Sequence, residues 1–382
     1  MNYRTLGRTG LTVSEIGLGS EAFVKQTVED GVALVNAAIG AGVNYFDLFN
    51  PEPHVRDVFG LAMQGRREEF IMQAHLCSAW IDGQYKRTRD MDQVKAAFTD
   101  LMARLRTDYI DVGMVHYVDE QKDFDQVFGG PVIEFAKEQK AAGHIRHIGM
   151  STHNPRIAIQ AVKSGLIDVI MFSINPAYDI LPPNEDINVM LDKASYETVL
   201  SNIDPERQEL YSLCESQGVA ITVMKPYGGG ALLSAEASPF GAAMSVAQCL
   251  HYCLTRPGVA TVLAGAVNKE ELMEAVAYCD AGDAERDYAK LLSSCPAHPF
   301  TDKCMYCGHC APCTAGIDIA SVNKFADLCE AQHMVPETVR EHYNVLSVKA
   351  GACVKCGQCE ARCPFGVKIV EHMQKAVDIF GE

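Results

Sequence analysis

The sequence predicts an α/β protein: a (β/α)8 TIM barrel over residues 1–284, followed by a small helical, cysteine-rich domain over 285–382. Three observations carry this. From residue 14 to about 280, short β-branched apolar runs alternate with longer segments of helical period, eight times over. No G-x-G-x-x-G follows the first run, so the fingerprint of an open dinucleotide-binding sheet is missing and closure is favoured. Eight of the 15 cysteines then crowd into two runs beyond residue 300.

The strand candidates, in order, are residues 15–19, 43–47, 69–75, 109–116, 144–151, 168–174, 218–224 and 259–265. Between them lie helix-period segments such as MDQVKAAFTDLMARL, RIAIQAVKSG and KEELMEAVAYC. After the sixth strand about 30 residues intervene before the next helix, where such connections usually take about two to six. A loop of that length reads as a lid, a substrate wall or a clamp on the cysteine-rich domain, above the barrel mouth in each case. In such barrels chemistry sits at the C-terminal ends of the strands, which singles out Asp47, His75, His116, Ser151 with His153, Asn175, Lys225 and Gly265. The glycines at 228–230, Gly229 among them, and the helix start after Gly265 allow a phosphate to approach backbone N–H groups. Cys77, two residues past His75, is the thiol nearest the expected mouth, and the cysteines outside the two runs read as ordinary buried thiols.

The first cysteine run is Cys304, Cys307, Cys310 and Cys313; the second is Cys353, Cys356, Cys359 and Cys363, followed by Pro364. The second is C-x2-C-x2-C-x3-C-P, the spacing with which bacterial-type ferredoxins hold a cubane, the fourth cysteine of each run serving the other run's cluster. Two 4Fe-4S clusters follow, one on Cys304, Cys307, Cys310 and Cys363, the other on Cys353, Cys356, Cys359 and Cys313. Paired C-x2-C steps also hold zinc, and dense cysteines also form disulfide frameworks, but zinc gives no reason for a third step or a trailing Cys-Pro. The first run ends differently, with two residues instead of three before Cys313 and Thr314 instead of a proline after it. Helical patterning between the runs makes this a helical ferredoxin-like domain.

Apolar residues make up 48% of the chain and charged ones 21%, a globular balance. The N-terminal residues have no apolar core of a signal peptide, no apolar run reaches a membrane span, and thiols reserved for iron need a reducing compartment, so a cytoplasmic protein is expected. A formal charge of −16 disfavours nucleic acid and anionic membranes as partners. Nothing in the sequence sets the oligomeric state.

LGRTGLTVSEIGLGS, VNYFDLF, DYIDVGMVH, IRHIGMSTHNP, VMKPYGGGALL and VLAGAVNKEELMEAV together resemble the aldo-keto reductases, and the cysteine domain resembles the branch of that family with a C-terminal ferredoxin-like domain. The resemblance implies carbonyl reduction by a nicotinamide hydride. A tyrosine donates the proton, a lysine paired with an aspartate lowers its pKa, and a histidine orients the substrate. Asp47 matches the aspartate and His116 the histidine, but Glu52 stands at the tyrosine position and His75 at the lysine position. A glutamate, with an ordinary pKa of about 4.3, donates near neutrality only if burial raises it, whereas a histidine near 6.5 exchanges a proton directly. Ser151 and His153 stand where the family supports the nicotinamide. Met171 and Ile174 replace a glutamine and a tyrosine of that site, and Lys269 stands where an arginine would read a 2′-phosphate.

The expected function is an iron–sulfur oxidoreductase with altered proton chemistry at Asp47, Glu52, His75 and His116. It acts on a small-molecule substrate, binds a nicotinamide or flavin nucleotide near Ser151, His153, Asn175, Lys225, Gly229, Gly265 and Lys269, and exchanges electrons with an external carrier of ferredoxin or flavodoxin type. The alternatives are an NAD(P)H-dependent carbonyl reductase with structural clusters, and a non-catalytic electron-transfer or sensor protein.

Overall fold

A computed structural model describes residues 1–381. Eight parallel strands close into a barrel: β1 (Ile16–Gly19), β2 (Tyr45–Leu48), β3 (Ile71–Leu76), β4 (Ile110–Val115), β5 (Ile145–Thr152), β6 (Val169–Ser173), β7 (Ala220–Met224) and β8 (Val259–Ala264). Each strand pairs with the next in sequence and β8 returns to β1. All eight lie where the apolar runs predict them. Strands covered on both faces are mainly apolar, and β2, β4, β6 and β8 are buried at every position. A side chain on Gly149 of β5 would meet the Met114 Sδ at 2.1 Å and the Val169 carbonyl at 2.9 Å, so only hydrogen fits there.

Two hairpins and one helix escape the apolar pattern. Tyr3–Thr5 pairs with Thr12–Ser14 and closes the N-terminal end of the barrel, burying Leu6 and Val13. After β3, Ser78–Ile81 pairs with Gln84–Arg87 through the two-residue turn Asp82-Gly83, both at positive φ (55° and 74°), the conformation that two-residue hairpins favour. Helix Pro53–Ala62 opens on Glu52 and follows β2 directly. The long connection after β6 contains three short helical pieces, Pro176–Asp179, Asn188–Leu191 and Lys193–Tyr196. It grips the segment leading to the C-terminal domain: the Leu200 N–H donates to His298 Nδ1 at 3.4 Å, and Asn202 and Pro299 share a backbone bond of 3.1 Å.

The C-terminal domain is helical as expected, with Ile319–Gln332, Glu337–Asn344, Gln358–Arg362 and Ile369–Phe380. It rests on the outer helices of the barrel. Ile319–Gln332 and Glu337–Asn344 pack on barrel helix Pro205–Gln217, where Glu215 faces Lys324 (3.6 Å) and His342 (3.5 Å) and accepts the Gly258 N–H at 2.6 Å. Buried Arg256, at the end of helix Val246–Leu254, donates to the Met305 carbonyl, which also takes the Tyr288 hydroxyl at 2.6 Å. Among the described residues no helix is long and apolar enough to cross a membrane.

The cations around Glu215 and the Gly258 amide outweigh its burial and hold its carboxyl at about 2. A depressed carboxyl stabilises the fold above its ordinary pKa and loses that contribution as pH falls towards 2. His342, raised by the same partner, contributes below its ordinary value and loses its share as pH climbs through the raised one. Thermal unfolding of Glu215→Gln should show a loss on the order of 2 kcal/mol near pH 6 that shrinks towards pH 2. A pH-independent difference would refute this account of the docking.

Candidate active site at the barrel mouth

Adjacent strand ends bring Asp47 (β2), Gln73 and His75 (β3) and His116 (just past β4) together. Alternation along β3 sends Gln73 and His75 inward on the same face. The Asp47 carboxylate is 1% exposed; its Oδ1 accepts Gln73 Nε2 at 2.6 Å and lies 3.0 Å from His75 Nε2. Gln73 is fixed from its other end, its Oε1 accepting the Tyr45 hydroxyl at 2.6 Å and the Thr222 hydroxyl at 3.1 Å. His75 Nδ1 meets His116 Nδ1 at 2.7 Å, and His116 Nε2 meets the Tyr85 hydroxyl, from the hairpin, at 2.7 Å. Phe49 stacks parallel to His116 at 6.1 Å between ring centres. Burial first, then His75, Arg89, Arg87 and His153, push His116 well below its ordinary value, so its ring is neutral.

Three of the four residues expected to carry proton chemistry, Asp47, His75 and His116, are thus hydrogen-bonded into one line. Glu52 is not in it. Its backbone opens helix Pro53–Ala62, and its carboxylate pairs with His54 (3.2 Å), whose other nitrogen meets the Phe23 carbonyl at 3.0 Å. Cys77 is buried, and burial raises its thiol above the ordinary range. Sequence reasoning missed Gln73, Phe49 and Tyr85; for Tyr85 a signal existed, the Asp82-Gly83 pair between alternating residues.

A sequence model of the Aldo/keto reductase family matches residues 15–245, over half of the chain. The chain belongs to the aldo/keto reductase family. As a family member it is an oxidoreductase. It is 26% identical over 304 residues to the uncharacterized oxidoreductase YqkF of Bacillus subtilis, spanning 77% of this chain and 96% of that one. It is 27% identical over 201 residues to the L-galactose dehydrogenase of Arabidopsis thaliana, spanning 47% of this chain and 60% of that one. The fold of aldo-keto reductase AKR11C1 from Bacillus halodurans, in its holo form, superposes with a TM-score of 0.60 at 24% identity, over 76% of this chain and 96% of that one.

The residues expected to border a cofactor line the remaining strand ends of this aldo/keto reductase. Ser151 Oγ accepts the Tyr117 N–H at 2.8 Å, and His153 is clamped by Asp119 through its own N–H (2.7 Å) and Nδ1 (2.9 Å). Asn175 caps the Pro176–Asp179 turn and donates to the Lys225 carbonyl at 2.9 Å, so its amide is committed to backbone. Lys225 is left-handed (φ 56°), as are Gly228, Gly229 and Gly230. A side chain built on Gly229, Gly230 or Gly265 would meet open space. Lys269 begins helix Lys269–Ala277, whose entry amides are in use: Asn268 accepts the Glu271 N–H and the Glu271 carboxylate takes that of Val267 at 3.0 Å. Met171 points its sulfur at Gln73 Nε2, at 3.4 Å.

The two cysteine runs fold alike. The residues flanking the second cysteine of each are left-handed, Tyr306 and Gly308 in the first run, Lys355 and Gly357 in the second, which turns the loop tightly around its thiols. A left-handed glycine follows each fourth cysteine, Gly316 and Gly366, before helices that start at Ile319 and Ile369. Cys313, despite its shorter spacing, therefore occupies the place of Cys363. One cavity of about 360 Å³, open solvent included, is lined by Cys313, Cys353, Cys356 and Cys359. A second of about 310 Å³ is lined by Cys304, Cys307, Cys310 and Cys363. Asn323 Nδ2 points at the Cys304 sulfur at 3.4 Å, and Arg362 bridges the runs through the carbonyls of Cys310 (2.6 Å) and Pro312 (2.8 Å). Among the described residues no three His, Cys, Asp or Glu side chains converge as ligands of a single metal ion.

Gln73 holds the mouth in register, since its amide satisfies two buried hydroxyls and one buried carboxylate. Gln73→Leu, which fits the space but makes none of these bonds, should cost about 3 kcal/mol or more of stability in urea unfolding. A loss under about 1 kcal/mol would show that the network does not depend on it.

Proposed function

We propose that this member of the aldo/keto reductase family reduces a small carbonyl or alkene substrate at the barrel mouth and holds two 4Fe-4S clusters in its C-terminal domain. The observation that carries the cluster assignment is the crossed lining of the two cavities, each by three cysteines of one run and the fourth of the other. That is the ligation pattern of two-cluster ferredoxins. The donor set is all sulfur, and the sulfurs stand around a space instead of closing on a point. This suits a polynuclear core better than zinc with its bonds of about 2.3 Å. Burial raises the Cys304 and Cys310 thiols to about 12, so thiolates there call for the positive charge that iron would bring. Bound clusters would supply one-electron exchange, and with it a use for an external carrier of ferredoxin or flavodoxin type.

A nucleotide, nicotinamide or flavin, is proposed along the edge formed by Ser151, His153, Gly229 and Gly265, where backbone is approachable. It would supply the hydride. Lys225 and Lys269 are the nearby cations. The buried Asp47, His75 and His116 hold and move the proton.

A second reading, that the clusters staple the C-terminal helices to the barrel without taking part in turnover, is favoured by where that domain docks. Its contacts with Pro205–Gln217 and Arg256 lie on the outer helices, away from Asp47 and His116.

Iron and sulfide analysis of anaerobically purified protein should give about eight of each per chain. Cys363→Ala should remove the cluster of the first run and Cys313→Ala that of the second, each leaving about four irons and a distinct electron paramagnetic resonance signal. Stoichiometric zinc, or loss of the same signal in both variants, would overturn the assignment.

A further inference from the structure

We infer that Tyr85, brought over the barrel mouth by the hairpin after β3, exchanges the proton with the substrate in place of the family tyrosine, whose position Glu52 occupies. This rests on the reading that substrate is reduced at the mouth.

Exposure along the hydrogen-bonded line is the first ground. Asp47 is 1% exposed, His75 3%, His116 8% and Tyr85 42%, so Tyr85 is the member that a substrate can reach. Donor counting is the second. With Asp47 ionised, His75 Nε2 carries a hydrogen towards it, leaving His75 Nδ1 to accept from His116 Nδ1–H and His116 Nε2 to accept from the Tyr85 hydroxyl. In this empty state every hydrogen points inward. One added proton reverses the line: His75 becomes an imidazolium against Asp47, its Nδ1–H donates to His116 Nδ1, His116 Nε2–H donates to the Tyr85 oxygen, and the Tyr85 hydrogen is freed to point outward.

In the loaded state Tyr85 gives its proton to the carbonyl oxygen, and a bound reduced nicotinamide or flavin would supply the hydride that the carbonyl carbon receives. Tyr85 recovers a proton from His116 Nε2, and His116 takes one at Nδ1 from His75. The carbonyl π bond is lost, a C–H and an O–H bond form, and the line returns to its empty state one proton poorer. The reverse sequence withdraws a proton from an alcohol. Glu52, engaged with His54, has no part in it.

The groups facing the line are Arg87 and Arg89 from the hairpin strand and the turn after it, Tyr117 and His153 beside His116, and Tyr45 and Gln73 beneath Asp47. Both arginines are countered by Asp123, at 3.5 and 2.6 Å. The hydroxyl of Tyr45 is held neutral by burial, so Asp47 and the two histidines are the groups positioned to store the proton.

Nitrogen-15 histidine spectra of the full holoprotein across pH 5–9, wild type against Tyr85→Phe, test the relay without turnover. His75 should gain its second N–H and His116 should switch tautomer at one shared midpoint. Tyr85→Phe should move that midpoint, because His116 Nε2 loses its donor in the empty state and its acceptor in the loaded one. Independent midpoints, or one unmoved by Tyr85→Phe, would overturn the proposal. Turnover of pyridine-3-carboxaldehyde, with NADH or dithionite-reduced methyl viologen as donor, tests its use. Tyr85→Phe should lower kcat by about 100-fold with KM within threefold, while Glu52→Gln stays within threefold of wild type. Loss of turnover in Glu52→Gln with Tyr85→Phe unaffected would contradict the inference. Absence of aldehyde turnover in the wild type would count against the mouth as a carbonyl reductase site, and the relay would stand or fall on the spectra.

Discussion

The mouth of this barrel is built around one constraint: a carboxylate almost wholly withdrawn from water must be met by donors. Asp47 is met by Gln73 and His75, and meeting it fixes which nitrogen of His75 carries hydrogen. That choice passes to His116 and then to Tyr85, so one buried charge sets the direction of four hydrogen bonds. The barrel makes this possible because β2, β3 and β4 are neighbours whose C-terminal ends deliver their side chains to a common point. A lysine at the His75 position would place a permanent cation beside Asp47 and end the line there. A histidine passes the constraint on, through a second nitrogen that is donor or acceptor as the proton count requires.

How much of this was legible in the sequence follows from how local each signal is. The eight barrel strands are continuous apolar runs because helices cover one face and the barrel interior the other, and each fell within a few residues of its expected place. The hairpin at 78–87 is short, half polar and partly exposed, so its hydrophobic pattern was weak, although Asp82-Gly83 marked its turn. Tyr85 could not be paired with His116 from sequence, since 31 residues and a whole barrel helix separate them. Counting from Asp47 singles out Glu52, but its partner, His54, lies two residues on and draws its carboxylate aside.

The gathering of the cysteines around two cavities could be anticipated because C-x2-C geometry is made within a few residues. The crossed arrangement survived the shorter spacing of Cys313 because the glycine turn and helix that follow it repeat those after Cys363. Docking was not legible. Glu215, Arg256 and Tyr288 lie far in sequence from their partners, and nothing in a helical pattern announces that Glu215 will face Lys324 or that Arg256 will reach the Met305 carbonyl. The long connection after β6 joins the two halves, one end bound to residues 298–301 and the other rooted in the mouth at Asn175.

Neutron diffraction from deuterated crystals near neutral pH measures the proton positions on which the account turns. It predicts deuterium on His75 Nε2 and His116 Nδ1, the Tyr85 hydroxyl directed at His116 Nε2, and none on Asp47. Deuterium on the Asp47 carboxyl, or on His116 Nε2 while His75 carries only one, would contradict it.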